Sequence, residues 1–190
     1  SGQIRAVVTD LLGRQTVLSA PFYSDPALLR PGLVDWAIEG GRLRTGVGTP
    51  EDAYEDRFAL ASIRAGITPG WTAGGSVEGT EGHRRIAADS FVRLGTFGVL
   101  ETSLSVNETN GRQGTAWLLG YTYHGRRWSL GLRELRRDEG YADLAWREPG
   151  SAPRLERQVG LTMRVGPGTL SVGGLRQVSG AGEDRSFLRA

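Results

Sequence analysis

Apolar and polar residues alternate with a period of two through most of this chain, and no window carries the i, i+3, i+4, i+7 apolar stripe with a cap that a helix needs. That pattern predicts an all-β fold, because successive side chains of a strand point to opposite faces. Strands are predicted near 3–9, 14–20, 33–44, 57–67, 71–80, 84–94, 99–108, 113–123, 127–137, 157–165 and 170–178. The breaks between them are rich in Gly, Pro, Asn and Asp, as turns require. Glycine supplies 29 of the 190 residues, about twice its usual share.

From Leu33 onward the breaks read as alternately longer and tighter. The long break 45–56 precedes Thr68-Pro69-Gly70, and Glu81-Gly82-His83 precedes Thr96-Phe97-Gly98. Thr109-Asn110-Gly111-Arg112 precedes His124-Gly125-Arg126-Arg127, and the segment 138–156 precedes Gly166-Pro167-Gly168. In an up-and-down sheet this places every tight turn at one end, as in outer-membrane barrels. With Thr68-Pro69-Gly70 as a three-residue loop and Gly70 left-handed, Ile67 faces Trp71, Ala65 faces Ala73, Ile63 faces Gly75 and Ala61 faces Val77. Around the later turns the pattern sets Arg93 opposite Glu101, Tyr123 opposite Trp128, Tyr121 opposite Leu130, Val165 opposite Leu170 and Met163 opposite Val172. A slip of one residue would scramble every one of these faces.

A soluble β-sandwich alternates in the same way, and would enclose Trp117, Tyr121, Leu130 and Met163 between two layers. Three features favour a transmembrane barrel instead. The apolar face is rich in Ala and Gly and poor in bulky core fillers. The polar face carries charges in mid-strand, so Glu39, Arg64, Glu78, Asp89, Arg93, Glu101, Arg133 and Arg164 are candidates to line a wet lumen. Trp71, Tyr123 and Trp128 sit beside tight turns, where an aromatic girdle lies; with Trp117, Leu119, Tyr121 and Met163 they are the candidate lipid-facing or girdle residues. Mean hydropathy of -0.30 does not separate the two folds, because barrel strands are apolar only at alternate positions. The longest apolar stretch, Ala116 to Tyr121, is far shorter than the ~20 residues of a membrane helix.

Chemistry-bearing constellations are few. All 23 basic residues are Arg, and against 21 acidic ones they leave a net charge of +2, so no polyanion-binding field follows and no nucleic-acid partner is expected. There is no Cys, hence no disulfide scaffold and no Cys-ligated metal. His83 lies in a polar break and His124 in a tight turn, neither with a second ligand at metal spacing. Glu51, Asp52, Glu55 and Asp56 read as a solvated acidic loop, since no EF-hand spacing is present. Gly46-Val47-Gly48 and Gly173-Gly174 lack the strand-to-helix context of a phosphate loop. Arg126-Arg127 and Arg136-Arg137 read as solvated or lumen-lining pairs. No Ser/His/Asp set can be assembled, and neither an enzyme nor a cofactor is expected.

The run Pro21-Phe22-Tyr23-Ser24-Asp25-Pro26-Ala27-Leu28-Leu29-Arg30-Pro31-Gly32-Leu33-Val34-Asp35-Trp36 resembles the outer-membrane ushers of the chaperone–usher pathway, which secrete and assemble pilus subunits. Glu39-Gly40-Gly41-Arg42-Leu43-Arg44, Arg64-Ala65-Gly66-Ile67-Thr68-Pro69-Gly70-Trp71-Thr72, Val92-Arg93-Leu94-Gly95 through Gly98-Val99-Leu100, Tyr121-Thr122-Tyr123 and Gly140-Tyr141-Ala142-Asp143-Leu144 extend the resemblance in one order over nearly the whole chain. Each motif is modest; their succession carries the specificity.

The resemblance implies an all-β, antiparallel up-and-down transmembrane barrel segment of about nine meandering strands, preceded by a short plug-derived hairpin. Residues 1–20 would be the end of the plug domain, with Ile4, Ala6 and Val8 alternating into a turn at Asp10 to Arg14. Residues 21–32 would be the plug-to-barrel linker, marked by Pro21, Phe22, Tyr23, Leu28, Leu29, Pro31 and Gly32, and residues 33–190 part of the barrel. The chain opens Ser-Gly-Gln-Ile with no charged-then-apolar leader, so either a leader was removed or residue 1 is an internal cut; about nine strands cannot close a pore of the family's size, and a fragment is expected. Exposed strand edges would make it prone to aggregate alone. The implied partners are pilus subunits, their periplasmic chaperone and outer-membrane lipid; the implied work is passive secretion, with subunits joined by donor-strand exchange. Two other readings stand beside it: a soluble secreted all-β binding or adhesion module, and another outer-membrane barrel such as a porin or an autotransporter translocator.

Overall fold

Turn residues at short intervals and two-fold alternation leave the chain one economical solution, a meander of antiparallel strands. The computed structural model describes residues 4–9, 15–20, 28–45, 53–146, 148–180 and 182–189. Ile4–Thr9 (β1) and Gln15–Ala20 (β2) form a two-stranded antiparallel hairpin, Val7 paired with Val17; its expected turn at Asp10 to Arg14 lies outside the described residues.

Ten further strands follow: Val34–Thr45 (β3), Ala53–Thr68 (β4), Trp71–Thr80 (β5), His83–Arg93 (β6), Val99–Thr109 (β7), Arg112–His124 (β8), Trp128–Arg137 (β9), Leu155–Val165 (β10), Gly168–Val178 (β11) and Asp184–Arg189 (β12). They make one sheet in chain order, each strand paired with its sequence neighbours. Nine were expected. The tenth, Asp-Arg-Ser-Phe-Leu-Arg, escapes sequence reading because charges crowd both its ends. An 11-residue strand spans about 36 Å, which at a tilt of about 45° rises roughly 25 Å, the height of the apolar band of an outer-membrane barrel.

The face assignments hold, whereas several turns differ. Ala65 pairs Ala73, Ile63 pairs Gly75 and Ala61 pairs Val77. Gly70 is not left-handed, and Thr68 rather than Ile67 sits opposite Trp71, with the register shifting between Gly66 and Thr68. Pro69 explains this: its fixed φ suits an ordinary turn whose twist mismatches a hairpin, and the irregularity absorbs the mismatch.

Elsewhere the register departs from expectation by two residues. Arg93 pairs Val99 and Glu101 pairs Phe91, because the loop runs from Leu94 to Gly98 with left-handed Gly95 and Gly98. Tyr123 pairs Leu130 and Tyr121 pairs Leu132. Val165 pairs Gly168 and Met163 pairs Leu170, since Gly166 (φ 57°) and Pro167 close a two-residue turn. A slip of two leaves every side chain on its own face.

The alternation of long and tight breaks does not hold. Thr80 pairs His83 across two residues, and Thr109 pairs Arg112 across Asn110 (φ 50°) and Gly111 (φ 79°). Both turns are shorter than the loop at Leu94–Gly98. The break expected over 45–56 is shortened by the extension of β3 to Thr45 and of β4 back to Ala53.

One layer, not two, is the outcome. Ile38 is 73 % exposed, Ile86 60 %, Met163 41 % and Trp117 40 %, so among the described residues no second sheet encloses the greasy face, as a soluble sandwich would require. The buried residues Ala116, Tyr141 and Ala152 cluster on the opposite, polar face.

Replacing Gly111 by Ala, at φ 79°, is expected to cost about 1 kcal/mol through left-handed strain. Gly168→Ala, at an ordinary φ with its nearest atom at 3.7 Å, is expected to be neutral within a few tenths of a kcal/mol. The urea midpoint of the folded protein in detergent micelles checks both.

Candidate functional site

The two faces of the sheet differ in character, and the limits of the apolar one can be traced residue by residue. On the apolar face the greasy positions stop at charged side chains towards the 138–154 end of the sheet. Arg84 pairs Glu108 across β6 and β7 at 2.7 Å. Glu134 of β9 takes Arg136 and Arg157, each at 2.6 Å, and Arg176 of β11 reaches Asp184 at 2.6 Å. Arg136 also lies over the Trp117 ring, 5.2 Å from its centroid.

This charged edge crosses the strands obliquely. The Glu108 row meets β8 at Gln113 and the Glu134 row meets it at Leu119. Six residues along a strand is about 20 Å, and the centres of the two clusters, between β6 and β7 and between β9 and β10, lie three strand spacings of about 4.8 Å apart. The edge therefore climbs steeply across these strands, as the rim of an apolar band does on tilted barrel strands. The opposite edge slopes in the same sense. Trp71 of β5 shares a row with Val92, Leu100 and Tyr121; Tyr123 lies two residues further towards the turns, and Trp128 two beyond that. The Trp71 indole donates to Ser90 Oγ at 3.0 Å, the Tyr121 hydroxyl to the Phe97 carbonyl, and the Tyr123 and Trp128 rings stack with centroids 4.3 Å apart. Greasy bodies with satisfied polar tips suit a wet–dry boundary.

All seven residues named for the apolar face lie on it: Trp71, Trp117, Leu119, Tyr121, Tyr123, Trp128 and Met163. The eight named for the polar face share the other: Glu39, Arg64, Glu78, Asp89, Arg93, Glu101, Arg133 and Arg164. Arg64 pairs Asp35 at 2.5 Å, and Arg133 approaches Glu101 at 3.9 Å. Glu78 departs from the expectation of a wetted charge: it is 7 % exposed.

Two segments that cover the polar face explain such burial. At the end of the sheet that carries the turns after β4, β6, β8 and β10, here the turn end, the Leu29 N–H donates to Thr72 Oγ1 at 2.8 Å. Gly32 N–H donates to the Gly66 carbonyl at 3.0 Å, and Gly66 N–H to the Leu33 carbonyl at 2.9 Å. Thr72 is fully buried beneath this strip. A Cβ on Gly66 would come 2.2 Å from the Arg30 carbonyl oxygen, so only glycine admits the crossing. Of the linker residues named from sequence, Leu28, Leu29, Pro31 and Gly32 belong to the strip or flank it; Pro21, Phe22 and Tyr23 lie outside the described residues.

At the other end the segment Asp138 to Arg154 folds back over β5 to β9. Glu78 holds it: one carboxylate oxygen accepts from the Leu144 N–H at 3.1 Å and meets His83 Nε2 at 3.2 Å, while the other accepts from Arg85 at 2.9 Å. His83 Nδ1 meets Thr109 Oγ1 at 2.8 Å. The Asn107 amide, oriented to satisfy its neighbours, accepts from Ala142 N–H at 3.3 Å and donates to the Gly114 carbonyl at 3.1 Å. Arg137 pairs Glu156 and lies over the Tyr141 ring. Burial, with the Asp143 carboxylate beside it, pushes the Tyr141 phenol above its ordinary value. The Nε atoms of Arg85 and Arg137 are buried without a hydrogen-bond partner.

Sequence reading missed this cluster. Its signal was available in Gly114, a glycine in mid-strand: a Cβ there would sit 2.2 Å from the Gly140 carbonyl carbon, and such a glycine marks close approach of another backbone. No group of three or more metal-ligating side chains occurs among the described residues. His83 is spent on Glu78 and Thr109, a packing role.

Comparison with known proteins agrees with this geometry. No family model matches the chain. The outer membrane usher protein YraJ of Escherichia coli K12 is 27 % identical over 128 residues, which is 67 % of this chain and 14 % of the relative. The chain is similar to outer-membrane ushers. Its fold is that of the P pilus usher PapC translocation pore, matched at a TM-score of 0.74 with 19 % identity over 98 % of this chain and 40 % of that one. A second structure of that pore gives 0.72, 21 %, 98 % and 42 %. PapC in an E. coli P pilus tip assembly intermediate with PapD, PapK and PapG gives 0.62 and 20 % over 94 % of this chain and 23 % of the other. This chain therefore spans about one seventh of the usher relative it matches by sequence.

If hydrocarbon covers the apolar face, Leu104→Arg and Val159→Arg should each destabilise by about 2–4 kcal/mol, as arginine does near a bilayer midplane. Ser62→Arg and Ser171→Arg, on the other face, should be mild. Refolding into lipid vesicles against urea measures the difference, and equal costs on both faces would refute the assignment.

Proposed function

We propose that this chain is a segment of an outer-membrane usher, forming part of the wall of the pore through which chaperone-delivered pilus subunits are secreted and on which they are assembled. The carrying observation is the single sheet whose apolar face is exposed between an oblique row of ion pairs and a row of aromatic residues that slopes in the same sense. A wall of that kind needs lipid on one side and water on the other. The order of segments agrees with the usher reading: a hairpin, then a strip crossing the polar face at the turn end, then the meander.

In this reading residues 1–20 end the plug, 21–32 link it to the barrel and 33–190 belong to the barrel. The turn end faces the periplasm, because the linker enters there. The eight charged residues face the lumen, and the aromatic row lies in the girdle of the inner leaflet. Charges of both signs, several already paired, give a wet surface on which a moving protein finds no single adhesive patch. Partners follow from the same reading: pilus subunits, a periplasmic chaperone and outer-membrane lipid. No nucleotide or metal enters the mechanism; the work is to hold a wide hole open and to let the plug leave it. A porin or autotransporter barrel would present the same wall but has no call for the strip at Leu28 to Leu33.

Gly66 offers the test. In the full-length protein, Gly66→Ala drives a methyl group into the Arg30 carbonyl and should lift the linker. The expected result is a pore that opens more often in planar bilayers while barrel assembly, read as heat-modifiable mobility in gels, stays intact. Unchanged opening would remove the linker role; failure of any conductance from the wild-type protein would remove the pore.

A further inference from the structure

Among the features that the usher reading leaves unused, the buried cluster around Glu78 carries the most. We infer that the segment Asp138 to Arg154 is a fixed inward strap, a permanent part of the inner wall of the pore, and that Glu78 is the residue that positions it. The inference rests on the usher reading for the word pore; the docking of the strap does not.

Long connections between barrel strands are ordinarily surface loops, solvated and easily displaced. This one is built differently. Tyr141, Ala142 and Ala152 are buried, Ala142 completely. Its backbone lies against the sheet closely enough that Gly114 and Gly140 each leave no room for a side chain. Asp138 caps its first turn, accepting from the N–H and hydroxyl of Thr115 at 2.8 and 2.7 Å and from Gly140 N–H at 3.0 Å. Asp143 closes a second turn, accepting from the N–H groups of Ala145 and Trp146 at 2.9 and 2.8 Å. Arg154 ties the far end to the β11 carbonyl of Val178 and to Glu139.

Glu78 is the only acidic side chain among the buried residues of the sheet face beneath it. The charged and titratable groups around it are His83 and Arg85 from β6, with Tyr141 and Asp143 from the strap. A carboxylate so placed is stable only while its donors stay in position. The Leu144 N–H is one of those donors, so lifting the strap leaves a buried charge short of a hydrogen bond. The same geometry presents Trp146, which is exposed, on a turn closed at both ends. That makes the strap a rigid projection from the polar face.

Cysteine labelling in the full-length protein in native membranes tests this. With a membrane-impermeant maleimide, Ala142→Cys should react about tenfold or more slowly than Trp146→Cys, because labelling requires local opening. Glu78→Ala should abolish that protection, and so should Gly114→Ala, which acts through a different contact should the first variant fold poorly. Protection should persist while fibre is being exported. Ala142→Cys reacting as fast as Trp146→Cys in the wild-type background, or becoming reactive only during export, would overturn the fixed strap. In the same membranes, replacing residues 140–152 by a short Gly/Ser link should shift the conductance of the opened pore upward. A protected Ala142→Cys in a protein that never conducts would spare the strap and defeat the usher reading instead.

Discussion

Everything in this structure depends on a continuous antiparallel ladder, interrupted only by local register shifts such as that between Gly66 and Thr68. A peptide group facing hydrocarbon has no water to turn to, so each N–H and C=O must find its partner in a neighbouring strand. Ten strands in chain order meet that demand without a crossover. The ladder then fixes which side chains share a face, and in the proposed usher wall the face decides which solvent each one meets. Composition, charge placement and the aromatic rows are all consequences of that division.

The ladder also explains how a wall one layer thick can still bury polar groups. Water is excluded from Thr72, Glu78, Asn107 and Thr109 by the chain's own segments lying on the polar side. Glycine makes that close approach feasible, at Gly66 under one strip and at Gly114 under the other. Elsewhere on the same side, pairs such as Arg64 with Asp35 remain half exposed, where an ion pair adds little stability and mainly keeps a surface hydrated. The two regimes sit on the same strands a few residues apart.

Much of this could be read in the amino-acid sequence. Two-fold alternation sorted the residues of both faces correctly, because parity survives errors of register that are even. The turns were harder: Thr68-Pro69-Gly70 and Gly166-Pro167-Gly168 look alike in composition, yet one closes with an irregular register and the other with a two-residue turn led by left-handed Gly166. The infolded strap was invisible to a period-of-two argument, since nothing in Asp138 to Arg154 alternates. In sequence Glu78 and His83 read as unrelated, a wetted charge and a residue of a polar break. Their meeting depends on Glu81-Gly82 closing a two-residue turn that puts Thr80 opposite His83. The expectation of a plug end and a linker ahead of the strands came from the family resemblance alone, since no local physics dictates that order.

The turns that were misjudged still left the wall intact, and that tolerance has a corollary for how such a chain can change over time. Adding or removing an odd number of residues at a hairpin turns the following strand inside out, offering arginine to oil and leucine to water. Paired insertions cost only a little local geometry. Variation in hairpin length should therefore accumulate in even steps, so that a meander of this kind drifts by twos.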